Sequence, residues 1–160
     1  MVNLLVVSDL LLNTNNMNIQ CITIGKKHDE SLRDAIEDYT SRIGHVAKFE
    51  WKIVDGTIAD ESLLKIIQPT DIVVVLHDSG KMWSTEDLPM FLEKQKNESV
   101  KKLVFIIGGS YGISEEVMKR ANYTWSLSKL IFPHMLVRLI VAEQIYRAFS
   151  ILEGSKYHHA

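Results

Sequence analysis

With 160 residues, 46% of them hydrophobic and 24% charged, the chain can bury one substantial core but not two comfortable ones, and its composition is that of an ordinary globular domain, which excludes a wholly disordered chain. The solitary Cys21 excludes an internal disulfide and a cysteine-based metal set, and it fits a reducing cytoplasm. The formal net charge is −2, yet residues 1–116 carry 12 Lys and Arg against 18 Asp and Glu whereas residues 117–160 carry 6 against 2, so the last quarter is basic.

Residues 1–16 hold an apolar stretch broken by Asp9, with no basic start, no small-residue cleavage site and too little length for a bilayer, so neither signal nor anchor is expected there. Asn18 to Gly25 reads as a short strand with a β-branched centre, Ile22, Thr23 and Ile24. A helix opening at Asp29 or Ser31 runs to about Ile43, with Leu32, Ala35, Ile36 and Tyr39 at helical spacing and Gly44 as its stop. Phe49 to Val54 alternates as a second strand, and a short helix follows over about Asp60 to Ile67. Asp71 to Leu76 is a third strand, buried by its Ile-Val-Val-Val-Leu run; it leads into His77-Asp78-Ser79-Gly80-Lys81, where a lone His77 reads as a surface or hydrogen-bonded structural residue. Ser84 to Asp87 begins a helix to about Asn97.

Leu103 to Arg138 carries most of the functional information. Leu103 to Ile107 is a buried strand that opens onto Gly108 and Gly109, and strand ends of this kind are where open α/β sheets bind ligands. Gly108, Gly109 and Gly112 allow positive φ and a close approach to bare backbone. Ser114 caps the next helix, but Glu115 and Glu116 in its first turn would repel a phosphate, so the glycines are expected to cradle something else. The plainer reading is a glycine turn that only connects strand to helix. Tyr123 to Leu127 reads as a further strand, Ser128 to Phe132 as a loop and Pro133 as the start of a helix reaching Leu152. That helix is apolar nearly all round, more than one core-facing stripe needs, and a homodimer interface is the economical second burial surface. The basic last quarter would meet a phosphate backbone if the fold gathers Lys119, Arg120, Arg138, Arg147 and Lys156 on one face; scattered surface charge is the other reading.

The segments GGSYG, WSLSKLIFPHMLVR and AEQIYRAFSI and the terminal YHH, in that order, resemble the SPOUT superfamily of knotted methyltransferases, and within it the RlmH type, over about residues 17–160. The resemblance implies an α/β fold, a Rossmann-like parallel sheet with helices on both faces and a C-terminal trefoil knot. It implies S-adenosyl-L-methionine as methyl donor, a cytoplasmic homodimer without metal or membrane, and as target N3 of a pseudouridine in helix 69 of 23S ribosomal RNA, in the large subunit or the assembled ribosome. Carried over by position, it assigns Leu76, Gly108, Leu127, Ser128, Lys129, Leu130, Ile131 and Phe132 to the cofactor, with Gly109 an adjacent candidate. Family members begin at the equivalent of Met17, which makes residues 1–16 an extension outside the single domain of residues 17–160. Two departures stand out: His77 replaces the acidic residue that usually follows the leucine, and the link between the second and third strands is shorter, which leaves its peripheral helix open.

Methyl transfer from a sulfonium is an in-line displacement at carbon with an excellent leaving group, so it asks for positioning and desolvation rather than a metal or a covalent nucleophile. N3 of a uracil ring carries a weakly acidic proton, and a base or an oxyanion-stabilising cation is wanted. By position in the family motifs the candidates are His134, Arg138, Tyr157 and His158. His134 reads equally as a helix-terminal residue closing the loop, and Arg138 as a phosphate contact or a pair with Glu143 of the partner subunit. Tyr157 and His158 read alternatively as the end of a disordered tail. Two readings compete with the enzyme: a noncatalytic ribosome-binding knot protein, and a Rossmann-like nucleotide binder, which Glu115, Glu116 and the missing glycine fingerprint disfavour.

Overall fold

Among the described residues, alternation of β-branched runs with helical periodicity builds ten regular elements: β1 (Asn18–Ile24), α1 (Glu30–Gly44), β2 (Lys48–Val54), α2 (Ala59–Ile66), β3 (Ile72–Met82), α3 (Asp87–Asn97), β4 (Lys102–Ile107), α4 (Glu115–Arg120), β5 (Tyr123–Ser126) and α5 (His134–Leu152), before a 3-10 turn at Lys156–His159. The structure, a computed structural model, describes residues 17–56 and 59–159; the extension expected over residues 1–16 lies outside them. The strands form one sheet in the order β2-β1-β4-β3-β5, and every neighbouring pair is parallel. All five therefore present their C-terminal ends on the same edge.

The three central strands are apolar on both sides because helices cover both faces. On one face Ile19, Cys21, Val74, Leu103, Phe105 and Ile107 pack with residues of α1, α3 and α5; on the other Ile22, Val73, Val75, Val104 and Ile106 pack against Leu63 of α2 and Val117 of α4. Burial raises the pKa of the Cys21 thiol, which leaves it a small inert core group. The peripheral helix left open by the short link is present as α2, with Leu63 fully buried.

Local chemistry sets the helix starts. Ser114 Oγ accepts from Val117 N at 3.3 Å at the head of α4. Ser84 and Asp87 bond reciprocally before α3, Ser84 N to Asp87 Oδ2 at 2.7 Å and Asp87 N to Ser84 Oγ at 3.2 Å. Pro133 stands at the N-cap of α5, which has no side-chain cap.

The main departure from the expected elements is β3, which continues past Leu76 to Met82. Both Leu76 and Lys81 pair with Trp125, so His77 to Gly80 bulge out opposite a single residue of β5 before pairing resumes at Met82 and Ser126. Gly80 makes the return possible: a Cβ there would lie 2.7 Å from the backbone carbonyl carbon and oxygen of Thr124. β5 also ends one residue early, at Ser126 rather than Leu127.

Candidate functional site

The strand ends open into two adjoining cavities. The first, about 280 Å³, sits over β3, β4 and β5, walled by Leu76, Ile107, Ile113, Trp125, Leu127 and Val137, with Gly108, Gly109, Ser128 and Leu130 to Phe132 around its mouth. Of the residues assigned to the cofactor, Leu76, Gly108, Gly109, Leu127, Ser128, Leu130, Ile131 and Phe132 converge here; Lys129 is exposed and its side chain is not in the lining. The loop is ordered by its own hydroxyls, Ser126 Oγ donating to Ser128 O at 2.9 Å and Leu130 N to Ser128 Oγ at 3.0 Å.

The glycines act differently from one another. Gly112 has φ +77°, whereas Gly108 and Gly109 have no positive φ, and close approach is what requires glycine at Gly109. A Cβ on Gly109 would lie 2.7 Å from the carbonyl oxygen of Ile24, at the end of β1. A Cβ on Gly108 would meet the carbonyl oxygen of Gly112 at 3.1 Å, so a side chain there strains the loop itself. Gly109 and Gly112 close a turn by the bond from Gly112 N to Gly109 O, 3.0 Å.

A second cavity of about 780 Å³ lies beside the first, over β2, β1 and β4, lined by the β1–α1 loop, Asp55, Asp60 and the turn Gly109–Gly112. His134, the first residue of α5, lines both cavities and stands between them. His77 lines the first, its Nδ1 2.7 Å from Ser79 Oγ and 3.0 Å from Asp78 Oδ1, so the hydrogen-bonded reading of this residue holds and it also borders the site.

Arg138 does not reach either cavity. It is fully buried one turn into α5, where Nη1 donates to Lys26 O at 2.9 Å and approaches His28 Nδ1 at 3.3 Å. Its Nε and Nη2 are buried without a hydrogen-bond partner among the described residues, and burial lowers its pKa despite the nearby Asp29. Within the chain, Glu143 Oε1 pairs with Arg147 Nη2 of the same helix at 2.7 Å. Tyr157 is packed on α1 and α5: its hydroxyl lies 3.2 Å from Tyr39 Oη and donates to Glu143 Oε1 at 3.3 Å, its ring meets Tyr146, and the Arg147 guanidinium lies 4.9 Å from its centroid. Burial first, then the Tyr39 bond, raises its pKa. His158 belongs to the final 3-10 turn by its backbone, and its side chain lies outside the described residues.

Residues 17–158 match the sequence model of the family described as "Predicted SPOUT methyltransferase". The chain belongs to the SPOUT methyltransferase family. This SPOUT methyltransferase is 40% identical over 156 residues to the "Ribosomal RNA large subunit methyltransferase H" of Christiangramia forsetii, covering 89% of this chain and 99% of that one. Proteins of the same name from Flavobacterium psychrophilum and Bacillus pumilus are 39% and 36% identical over the same 89% of the chain and 99% of theirs. A crystal structure of a probable methyltransferase from Bordetella pertussis superposes with a TM-score of 0.54 over 88% of this chain and 98% of that one; at 7% identity this likeness shows the fold alone.

In this SPOUT methyltransferase three of the five basic residues singled out in the last quarter are engaged within the fold itself. Arg120 anchors the opposite edge of the sheet, donating to Gln68 O at 2.8 Å, Asp71 O at 2.9 Å and Asn122 Oδ1 at 3.2 Å, while Arg138 is buried and Arg147 is paired. Sequence reading missed Trp125, Ile113 and Val137 as cavity walls, since apolar residues carry no chemical signature. Gly80 left a signal, a glycine just past a strand pattern, which marks a close backbone approach. Among the described residues no group of three or more His, Cys, Asp or Glu could hold a metal ion, and no helix is long and apolar enough to cross a membrane.

Proposed function

We propose that the protein is an S-adenosyl-L-methionine-dependent methyltransferase of large-subunit ribosomal RNA, acting as a cytoplasmic homodimer on N3 of a pseudouridine in helix 69 of 23S rRNA, with the loop Leu127–Phe132 threaded as a trefoil knot. The observation that carries this reading is the convergence of seven of the eight family-assigned cofactor residues, with the adjacent candidate Gly109, on one small cavity at the C-terminal strand ends. The relatives, whose name gives the ribosomal large subunit as their substrate, support the choice of RNA.

The lining suits the cofactor. A thioether and a flat heterocycle are held by apolar walls and by backbone groups, and Leu76, Ile107, Leu127 and the glycine turn offer both; no Lys or Arg lines the cavity to select a polyphosphate. At about 280 Å³ it falls just short of the usual range from ~300 Å³, so a bound ligand would project toward the second cavity. When bound, S-adenosyl-L-methionine supplies an activated methyl with a neutral thioether as leaving group. The chain's own part is to hold donor and acceptor in line and exclude water. His134, facing both cavities, is placed to take or polarise the proton of the accepting nitrogen. Tyr157 lines neither cavity of its own chain, so in the proposed homodimer Tyr157 and His158 act at the site from the other subunit's tail.

The test is tritiated methyl incorporation into ribosomes from a strain lacking the modification, with the labelled base mapped. Incorporation at another base would move the target; calorimetry showing that S-adenosyl-L-methionine does not bind the pure protein would remove the reading.

A further inference from the structure

Methyl transfer requires the acceptor to abut the donor, and the cavity assigned to the donor shares Gly109, Gly112, Ile113 and His134 with its larger neighbour. That neighbour has features the first lacks. At its rim Tyr111 is fully exposed, 104% of its reference surface, on the tip of a turn held by the Gly112 N to Gly109 O bond. An aromatic ring with no packing partner, presented on a closed turn, contributes nothing to the core and is pre-ordered for a flat ligand. Lys26 also lines the cavity and Lys27 follows it in sequence, both exposed. Their loop is not free to drift: Arg138 grips the Lys26 carbonyl from the interior at 2.9 Å, and Gly25 N bonds to Val54 O at 2.8 Å.

We propose that the larger cavity seats the target nucleotide of a single-stranded RNA loop, with the Tyr111 ring stacking on a base and the Lys26–Lys27 pair meeting the adjoining phosphates. This rests on the RNA methyltransferase reading and deepens it by naming the substrate side of the same site. Asp29 ends the same β1–α1 loop as the lysines, and the remaining wall carries Asp55 and Asp60. Carboxylates exclude phosphate from that side, and they suit what a nucleoside offers there, ring N–H and ribose hydroxyl donors. Charge thus gives the cavity a polarity: backbone toward β1–α1 lysines, nucleoside toward the acidic wall. Aromatic stacking with flanking cations is the recognition that unstacked RNA bases receive. Sequence charge counting pointed to the last quarter of the chain for phosphate contacts; the lysines at this rim come from the acidic first part.

The experiment compares wild type, Tyr111→Ala, Tyr111→Phe and the double variant Lys26→Gln/Lys27→Gln in methyl transfer to ribosomes lacking the modification, at subsaturating ribosome. S-adenosyl-L-methionine affinity is measured alongside by calorimetry. Tyr111→Ala is expected to lower kcat/KM about ten- to a hundredfold, mainly through KM, with cofactor affinity unchanged, and Tyr111→Phe to keep most of the wild-type value. The double lysine variant should flatten the slope of log kcat/KM against log salt by about 1.4, two phosphate contacts' worth. A wild type that transfers no methyl would overturn the RNA reading and this subsite together. An active wild type with Tyr111→Ala at the same kcat/KM, or with cofactor affinity lost in step, overturns the subsite alone, as does an unchanged salt slope in the lysine variant.

Discussion

Arg138 donates from Nη1 to the carbonyl oxygen of Lys26 across 112 positions of sequence, at 2.9 Å, from a guanidinium with no exposed surface. The bond ties the start of α5 to the β1–α1 loop, the two segments that border the larger cavity. Because Nε and Nη2 have no partner among the described residues, the buried charge carries a desolvation cost that one good bond does not offset.

Replacing Arg138 with Met should therefore leave global stability within about 1 kcal/mol of wild type, since relief of that cost balances the lost bond. The loop Lys26–Asp29 should lose protection in amide exchange. Arg138→Ala, which also opens a cavity, should cost about 3 kcal/mol in urea unfolding. A Met variant with unchanged exchange at the loop would show that the bond positions nothing.

His28 sets a pH dependence. Its Nδ1 faces Arg138 Nη1 and its ring meets Trp51 edge-on at 5.0 Å; burial first and the Arg138 charge second hold its pKa below the ordinary value, against a smaller opposing pull from Glu37. The unfolded chain thus binds a proton more readily. The contribution is complete above the ordinary histidine value near 6.5, falls as pH drops through it, and levels off below the depressed folded pKa. Thermal melts from pH 8 to pH 5 should show this decline, and His28→Gln should lessen it; an identical slope in the variant would assign the decline elsewhere.

Gly109→Ala places a methyl 2.7 Å from the backbone oxygen of Ile24, where neither side can yield as a flexible side chain would. Overpacking of this kind costs about 1–3 kcal/mol. The turn that lines both cavities must shift, so S-adenosyl-L-methionine affinity should fall with stability. Calorimetry on the folded variant giving wild-type affinity would detach this turn from the cofactor.

Tyr157 contributes to the fold whatever else it does. Losing its hydroxyl bonds to Glu143 and Tyr39 in Tyr157→Phe should cost about 1 kcal/mol, a fall of about 2–4 °C in Tm for a chain this size. A chain ending at Lys156 should melt lower still, because the ring contacts with Tyr146 and Arg147 go as well. A truncated chain melting with the wild type would return the tail to the disordered reading.

On α5, Leu136, Leu139 and Ile140 are only half-buried, although Val141, Ala142, Ile145 and Ala148 of the same helix are fully so. A second copy of the chain is the expected cover. Light scattering should give twice the mass of one chain, and Leu139→Glu should shift it toward the monomer; a wild type that scatters as a folded monomer at every concentration would reject the dimer.

By itself the sequence determined the order and type of the elements, the strand end at Gly108 and Gly109 that opens onto a cavity, and the family, because periodicity, caps and glycine punctuation are local and the motifs are contiguous. Only the tertiary structure decided which charges line a cavity. Arg138 and Lys26 look alike in composition, yet one is sealed under α5 and the other rims a cavity, since burial depends on which helix crosses which strand. It likewise decided the role of Gly80 and Gly109, whose missing Cβ atoms matter only because Thr124 and Ile24, distant in sequence, run past them at 2.7 Å. Close approach between non-local backbones has no local signature, and for that reason the sequence could mark these glycines but not say what they make room for.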